Sequence, residues 1–239
     1  MIKKLMFLFL LKTEKFILYQ LYKMRYWIAS SDDKAEIKEM ITFNDQVGSL
    51  VLQIIKISES GTNPKHTIQD FDKFFIDNID KSDTVLDIGC GYGHLANVLA
   101  GKASKIKGID IRPDAIEWSK NKFQVENLEY ECFDFFNYNT TDLFDVVILS
   151  NILEHIDNRK EFLQKAAQIG KKVLIRVPAY NRNWMVAYKK RFGLEWRLHK
   201  GHYLEYTEDI LHDEIVNSGL NVVKLSTSWG NICGIAEKK

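Results

Sequence analysis

Short apolar runs alternate with helically spaced segments along the second two thirds of the chain. Val85 to Ile88, Lys105 to Asp110, Leu128 to Phe133, Phe144 to Ser150 and Lys172 to Val177 read as strands. Leu220 to Thr227 and Ile232 to Ala236, turning around Trp229-Gly230-Asn231, read as a closing hairpin. Lys160 to Ile169 presents one apolar helical face, and Gly170 is expected to end it. Thr207 is placed to cap a helix that stops near Gly219. Upstream, Ile37, Met40 and Ile41, then Val47, Leu50, Val51 and Ile54, keep a helical period. Pro64 breaks it, and a further helix from Ile68 to Ile79 leads into the first strand. This divides the chain into an N-terminal helix over residues 1–30, a helical cap over 31–80 and an α/β domain over 81–239.

Composition narrows the class. With 239 residues, 46% of them hydrophobic, the chain can bury a substantial core. A formal net charge of +1 gives no general pull toward nucleic acid or membrane. Cys90, Cys132 and Cys233 have no metal-ligand spacing and are odd in number, so no metal is expected and a reducing, cytoplasmic setting fits. Residues 1–28 depart from this neutral average: Lys3, Lys4, Lys12, Lys15, Lys23 and Arg25 face the single acid Glu14 among apolar residues. The run Leu5 to Leu11 is too short to span a bilayer, which takes about 20 residues. The segment is expected either to touch the inner membrane face peripherally, as a basic interfacial helix, or to pack over the domain, unless Met6 or Met24 is the true start.

The chemistry concentrates after the first strand, in Asp87-Ile-Gly89-Cys-Gly91-Tyr-Gly93. Glycines at alternate positions allow positive φ and a close approach of backbone to ligand, and they aim N–H groups of the coming helix at it. Gly91 to Ala96 also satisfies the dinucleotide fingerprint. Against a dinucleotide stands Asp87, because a carboxylate there repels a pyrophosphate and suits a cationic group. The pattern D-x-G-x-G-x-G resembles motif I of the class I S-adenosylmethionine (SAM)-dependent methyltransferases. The stretch from Phe144 through Glu154-His155-Ile156 resembles motif IV of the branch that methylates small molecules and lipids.

That resemblance implies a Rossmann-like fold, a seven-stranded, mostly parallel sheet in the order 3-2-1-4-5-7-6 with helices on both faces. It implies SAM as cofactor and S-adenosylhomocysteine as product. By the same token Asp87, Gly89, Gly91, Gly93 and Ser150 line the cofactor, Asp110 holds the ribose diol, Ile111 packs on the adenine, and Asp134 with Phe135 meets its amino edge. The phrases Thr62-Asn-Pro-Lys-His, Leu174-Ile-Arg-Val-Pro and Glu205-Tyr-Thr are similar to a bacterial group associated with polysaccharide gene clusters, in which an Asp or Thr is expected where Gly201 stands and a Glu where Asn231 stands.

The acceptor side is expected in the insertion 179–206, where aromatics interleave with seven cations from Arg176 to Lys200 against one acid, Glu195. Arg176, Tyr180, Arg182, Trp184, His199 and Tyr206 are the residues expected to meet an acceptor, by stacking and charge-assisted bonds. His202 and His155 are the residues expected to act as bases, because imidazole titrates near neutrality. Lys65 and His66 read first as a solvated loop, with reach to the methionine carboxylate as the alternative. The expected reaction is O-methylation of a small-molecule, lipid or glycan acceptor. A nucleic acid is not the expected acceptor: transfer to DNA adenine is disfavoured because motif IV reads Ser150-Asn-Ile-Leu rather than Asn-Pro-Pro-aromatic, while the basic insertion keeps an RNA acceptor open. Two readings stay open beside it: a SAM-binding regulator without turnover, and an NAD-dependent oxidoreductase.

Overall fold

A computed structural model describes Tyr19, residues 34–58, Ile68 and residues 70–238. The expected N-terminal helix, Lys65 and His66 lie outside the described residues. Two compact units divide the chain at Thr62. In the first, α1 (Lys34–Ser58) carries the periodic apolar residues on one unbroken helix.

In the second unit, α2 (Lys73–Asp77) precedes β1 (Thr84–Ile88), α3 (His94–Ala100), β2 (Lys105–Asp110), α4 (Pro113–Lys122), β3 (Leu128–Cys132) and β4 (Phe144–Ser150). Then come α5 (Arg159–Ile169), β5 (Gly170–Pro178), α6 (Trp184–Arg191), α7 (Glu208–Asn217), β6 (Leu220–Ser228) and β7 (Asn231–Lys238). The seven strands form one sheet in the order β3-β2-β1-β4-β5-β7-β6. β1 to β5 pair in parallel, and β7 is antiparallel to both β5 and β6. The order and the antiparallel close are those expected.

β1, β4 and β5 read as continuous apolar runs because both of their faces are covered. Leu86, Val147, Leu149 and Ile175 pack with Phe162, Leu163 and Ala166 of α5 and with Leu211 and Ile215 of α7. Val85, Val146, Ile148 and Leu174 pack on the other face with Phe75, Ala96, Leu99 and Ile116, from α2, α3 and α4.

One local expectation changes. The helix expected over 68–79 is interrupted: among the described residues Ile68 and Lys73–Asp77 are helical, and Asp70, at a positive φ of 45°, turns the chain before Lys73. Gly170 ends α5 after Ile169, as expected. Its backbone is already extended, at φ −109° and ψ 140°, and it opens β5 directly. Glycine is needed there for packing, since a Cβ would sit 2.7 Å from the Val147 side chain. Thr207 does cap α7, its hydroxyl accepting from the Ile210 N–H at 3.4 Å.

Candidate cofactor and acceptor site

The site is built at the carboxyl ends of the parallel strands, where α/β sheets bind their ligands. Gly89, Gly91 and Gly93 all adopt positive φ, at 72°, 58° and 70°. Their surroundings differ. A Cβ on Gly93 would lie 2.4 Å from the Tyr130 hydroxyl, and one on Gly89 would lie 2.5 Å from Ile152. A Cβ on Gly91 would meet only the Arg112 guanidinium, at 3.3 Å. The outer two glycines are therefore locked against the protein, and the middle one faces open space. The turn is pinned from below, where the Gly89 and Cys90 N–H groups donate to the Ile109 carbonyl and the Tyr130 hydroxyl donates to the Gly93 carbonyl at 2.7 Å.

Asp87 sits under this turn, only 2% exposed, and its Oδ2 has no hydrogen-bond partner. Burial pushes its carboxyl up to about 7, against the opposing pull of the Arg176 guanidinium. A buried carboxylate oxygen left unpaired costs free energy until a donor arrives. Asp110, at the end of β2, accepts from the Gly91 N–H at 2.7 Å through one oxygen and from the Arg112 N–H and Nε through the other. Next to it Ile111 stands two thirds exposed. A cavity of about 250 Å³ opens beside them, lined by Gly89, Asp110, Ile111, Asp134, Phe135 and Ile152 among others. Asp134 borders the cavity, but its oxygens accept from the Phe136 N–H and the Asn137 amide at 3.0 Å each, so it also caps a short 3-10 turn. The Phe135 ring is buried against Phe162, so what this residue offers the cavity is its backbone and one ring edge.

Between this cradle and the acceptor side lies Arg176, 4% exposed. Its Nη2 donates to Ser150 Oγ at 2.8 Å and its Nε to Asn151 Oδ1 at 3.2 Å, while Nη1 donates to the Phe71 carbonyl. Its guanidinium lies 3.5 Å from the Phe71 ring centroid and 4.8 Å from that of Phe75. Arg176, expected to meet an acceptor, is instead held inside, and burial lowers its pKa to about 10. Ser150, expected against the cofactor, spends its hydroxyl on that arginine. Asn151 was missed by sequence reasoning. It has a positive φ of 55° and reaches both Arg176 and, at 3.3 Å, Glu154. Glu154 is 1% exposed with Oε2 unpaired, and burial pushes its carboxyl up to about 7.

The insertion is more ordered than a loop rich in charge implies. The Glu205 carboxylate, fully buried, accepts from Arg182 at 2.6 Å, from the Leu198 N–H at 2.5 Å and from His202 Nδ1 at 2.9 Å. Arg182 also donates to the Trp196 carbonyl, and Arg197 pairs with Glu195 and donates to the His202 carbonyl. Arg182 and Tyr206 were expected to meet an acceptor. Arg182 is committed to Glu205, and Tyr206 is buried with its hydroxyl donated to Glu214 at 2.8 Å. Trp184 is exposed, and Tyr180 packs edge-on against Trp196 with Lys190 over both rings. His155 comes together with His199 and His202, which lie more than forty residues later in sequence, with ring centroids 4.6 to 5.8 Å apart. Burial holds the His202 imidazole below its ordinary pKa, against the pull of Glu205. Glu205 was seen only as part of the Glu-Tyr-Thr phrase. A short run of aromatics and cations gives no sign of which acid will be dragged inside to hold it.

A family model described as "Methyltransferase domain" matches residues 62–225, more than half of the chain, and the protein belongs to that family. Its fold is that of the class I SAM-dependent methyltransferases, which decides against the dinucleotide reading of the glycine turn. Among curated proteins, an uncharacterized RNA methyltransferase of Oceanobacillus iheyensis is 38% identical over 85 residues, covering 35% of this chain and 18% of the relative. A ubiquinone biosynthesis O-methyltransferase of Coxiella burnetii is 30% identical over 95 residues, covering 38% of this chain and 40% of the relative. The chain thus spans well under half the length of these relatives. Among solved structures, magnesium protoporphyrin IX methyltransferase of Synechocystis with bound S-adenosylhomocysteine superposes with a TM-score of 0.59 at 15% identity, covering 73% of this chain and 83% of that one.

SAM, the cofactor of this class, fits the cradle. Its ammonium, ribose diol and adenine, with no phosphate, are chemically compatible with a buried unpaired carboxylate oxygen at Asp87, a second carboxylate at Asp110 and an exposed apolar face at Ile111.

Proposed function

We propose that the protein transfers a methyl group from SAM to an oxygen of a small-molecule, lipid or glycan acceptor. The observation that carries this reading is the buried, unpartnered Asp87 oxygen beneath three left-handed glycines, beside an acid placed for a diol. Asp87 faces the ammonium, Asp110 exchanges its bonds to Gly91 and Arg112 for the ribose hydroxyls, and the cavity from Ile111 to Ile152 takes the adenine. The bound cofactor supplies a methyl group already activated by its sulfonium. The chain's part is to align the acceptor oxygen and exclude water, worth up to about 7–11 kcal/mol in well-oriented systems. The acceptor side is formed by Glu154, Tyr180 and the three histidines, with Arg182 and Tyr206 as its buried framework. Residues 1–28 are proposed to make peripheral membrane contact. Among the described residues no helix is long and apolar enough to cross a membrane.

The test is release of S-adenosylhomocysteine from the full chain with SAM and a panel of phenols, lipid-linked hydroxyls, sugars and RNA. Turnover with a hydroxylated small molecule, lipid or glycan supports the proposal. Tight SAM binding with no turnover on any member would replace it with the regulatory reading, and turnover on RNA alone would overturn the acceptor class.

The raised Asp87 pKa gives a signed prediction. A cation binds the ionised carboxylate, and below about 7 that form is depleted. SAM affinity is therefore expected to rise about tenfold between pH 6 and pH 8, and Asp87→Asn to flatten that slope. Calorimetry showing the same pH dependence in both proteins would refute the assignment. The sign for folding is the reverse. Because the folded pKa lies above the ordinary carboxylate value, the ligand-free protein loses stability as pH rises from about 4 through about 7.

A further inference from the structure

From the convergence of His155, His199 and His202 we infer a binding site for a divalent transition-metal cation of the zinc type, at the acceptor edge of the site. One nitrogen from each imidazole lies within 4.8 Å of the others, in the one such three-ligand group found among the described residues. Ligand nitrogens around a tetrahedral Zn²⁺, each about 2.0–2.1 Å from it, are about 3.3 Å apart, so the rings draw together by up to about 1.5 Å when the ion binds.

The orientation of the rings carries the inference further. His202 Nδ1 lies 2.9 Å from the buried Glu205 carboxylate. That acceptor fixes the proton on Nδ1 and leaves Nε2 with its lone pair, the carboxylate–histidine arrangement that orients metal ligands and raises their basicity. His155 Nδ1 lies 3.2 Å from the Gly201 carbonyl, which fixes its tautomer in the same way. Each ring is thus left with Nε2, the nitrogen turned away from the group that holds it, as its ligand atom. His199 is the adjustable member. Its Nδ1 accepts the Gly201 N–H at 3.0 Å, a bond that opens when His199 ligates.

Gly201 ties the group together. Its carbonyl holds His155 and its N–H holds His199. A Cβ there would lie 3.0 Å from His199 Nδ1 and 3.6 Å from His155 Nδ1. Glycine at this position is what gives the His199 ring room beside His155, and it is where the resembling bacterial group would carry Asp or Thr.

Three protein ligands leave the fourth position of a tetrahedral ion open, as in catalytic rather than structural zinc sites. On the reading of the protein as an O-methyltransferase, that position takes the acceptor oxygen. The metal site itself stands or falls without that reading.

The test uses the full chain, stripped of metal and without SAM or acceptor. Titration with Co²⁺, followed by visible absorption and then displacement by Zn²⁺, is expected to saturate at one equivalent with nitrogen-ligated bands. His199→Gln, exposed and so tolerated by the fold, is expected to weaken binding by about a hundredfold or more, since losing a ligand outweighs losing an outer partner at about 10–100-fold. Gly201→Ala is expected to weaken it by crowding the His199 ring, and the remote His212→Gln to leave it unchanged. SAM affinity should stay the same in all three variants. Binding that does not saturate, or that is equal in wild type and His199→Gln, overturns the site. Metal binding as expected, without methyl transfer to any acceptor, would sink the proposed function and leave the site standing.

Discussion

Asp110→Ala is expected to weaken SAM binding by about two orders of magnitude or more. Two ribose hydroxyls lose a charged acceptor, each bond being worth about 1.5–3 kcal/mol. The same carboxylate accepts the Gly91 N–H and the Arg112 N–H in the ligand-free protein, so it also shapes the turn before the ligand arrives. Asp110→Asn keeps one acceptor and should fall between the two. Titration calorimetry with S-adenosylhomocysteine reads the effect directly, and wild-type affinity in the alanine variant would remove Asp110 from the ribose.

Glu205→Ala is expected to be the most damaging single change to stability, at about 3–5 kcal/mol, because it strands a buried guanidinium. Arg182 is only 13% exposed in its side chain, and the Leu198 N–H and His202 Nδ1 lose their acceptor with it. For a chain of this size the loss corresponds to a fall in Tm of about 6–20 °C. Thermal unfolding within 2 °C of wild type would show that the insertion's buried charge is not holding it together. SAM affinity is the control, since the glycine turn, Asp87 and Asp110 have no bond to Glu205.

The cofactor half of this architecture was legible because its signals are local. A strand ending in an acid, followed by alternate glycines, dictates a turn whatever surrounds it, and Gly89, Gly91 and Gly93 all take the left-handed backbone that only glycine adopts cheaply. The strand order followed from family resemblance rather than from the pattern of residues. The acceptor half was less legible because its determinants are pairwise and distant. Nothing near Arg176 in sequence shows that Phe71 and Phe75 will enclose it, or that Asn151 will adopt positive φ to bridge it to Glu154. Arg182 reads as one of several exposed cations until Glu205 is seen inside. The three histidines carry no metal spacing, since the loop that returns His199 and His202 to His155 begins a whole strand and helix later.

The insertion leaves and rejoins the sheet at almost one point. Ala179 and Tyr206 form an isolated parallel bridge, and the Tyr180 N–H donates to the Tyr206 carbonyl at 2.6 Å. Everything from Asn181 to Glu205 thus leaves and returns at one point of the sheet, and is tied back to the domain at Glu154 and His155 by the Tyr203 N–H and the Gly201 carbonyl. Such an insertion can change in length and chemistry while the strands on either side keep their register, which on the proposed reading would let the acceptor pocket vary independently of the glycine turn.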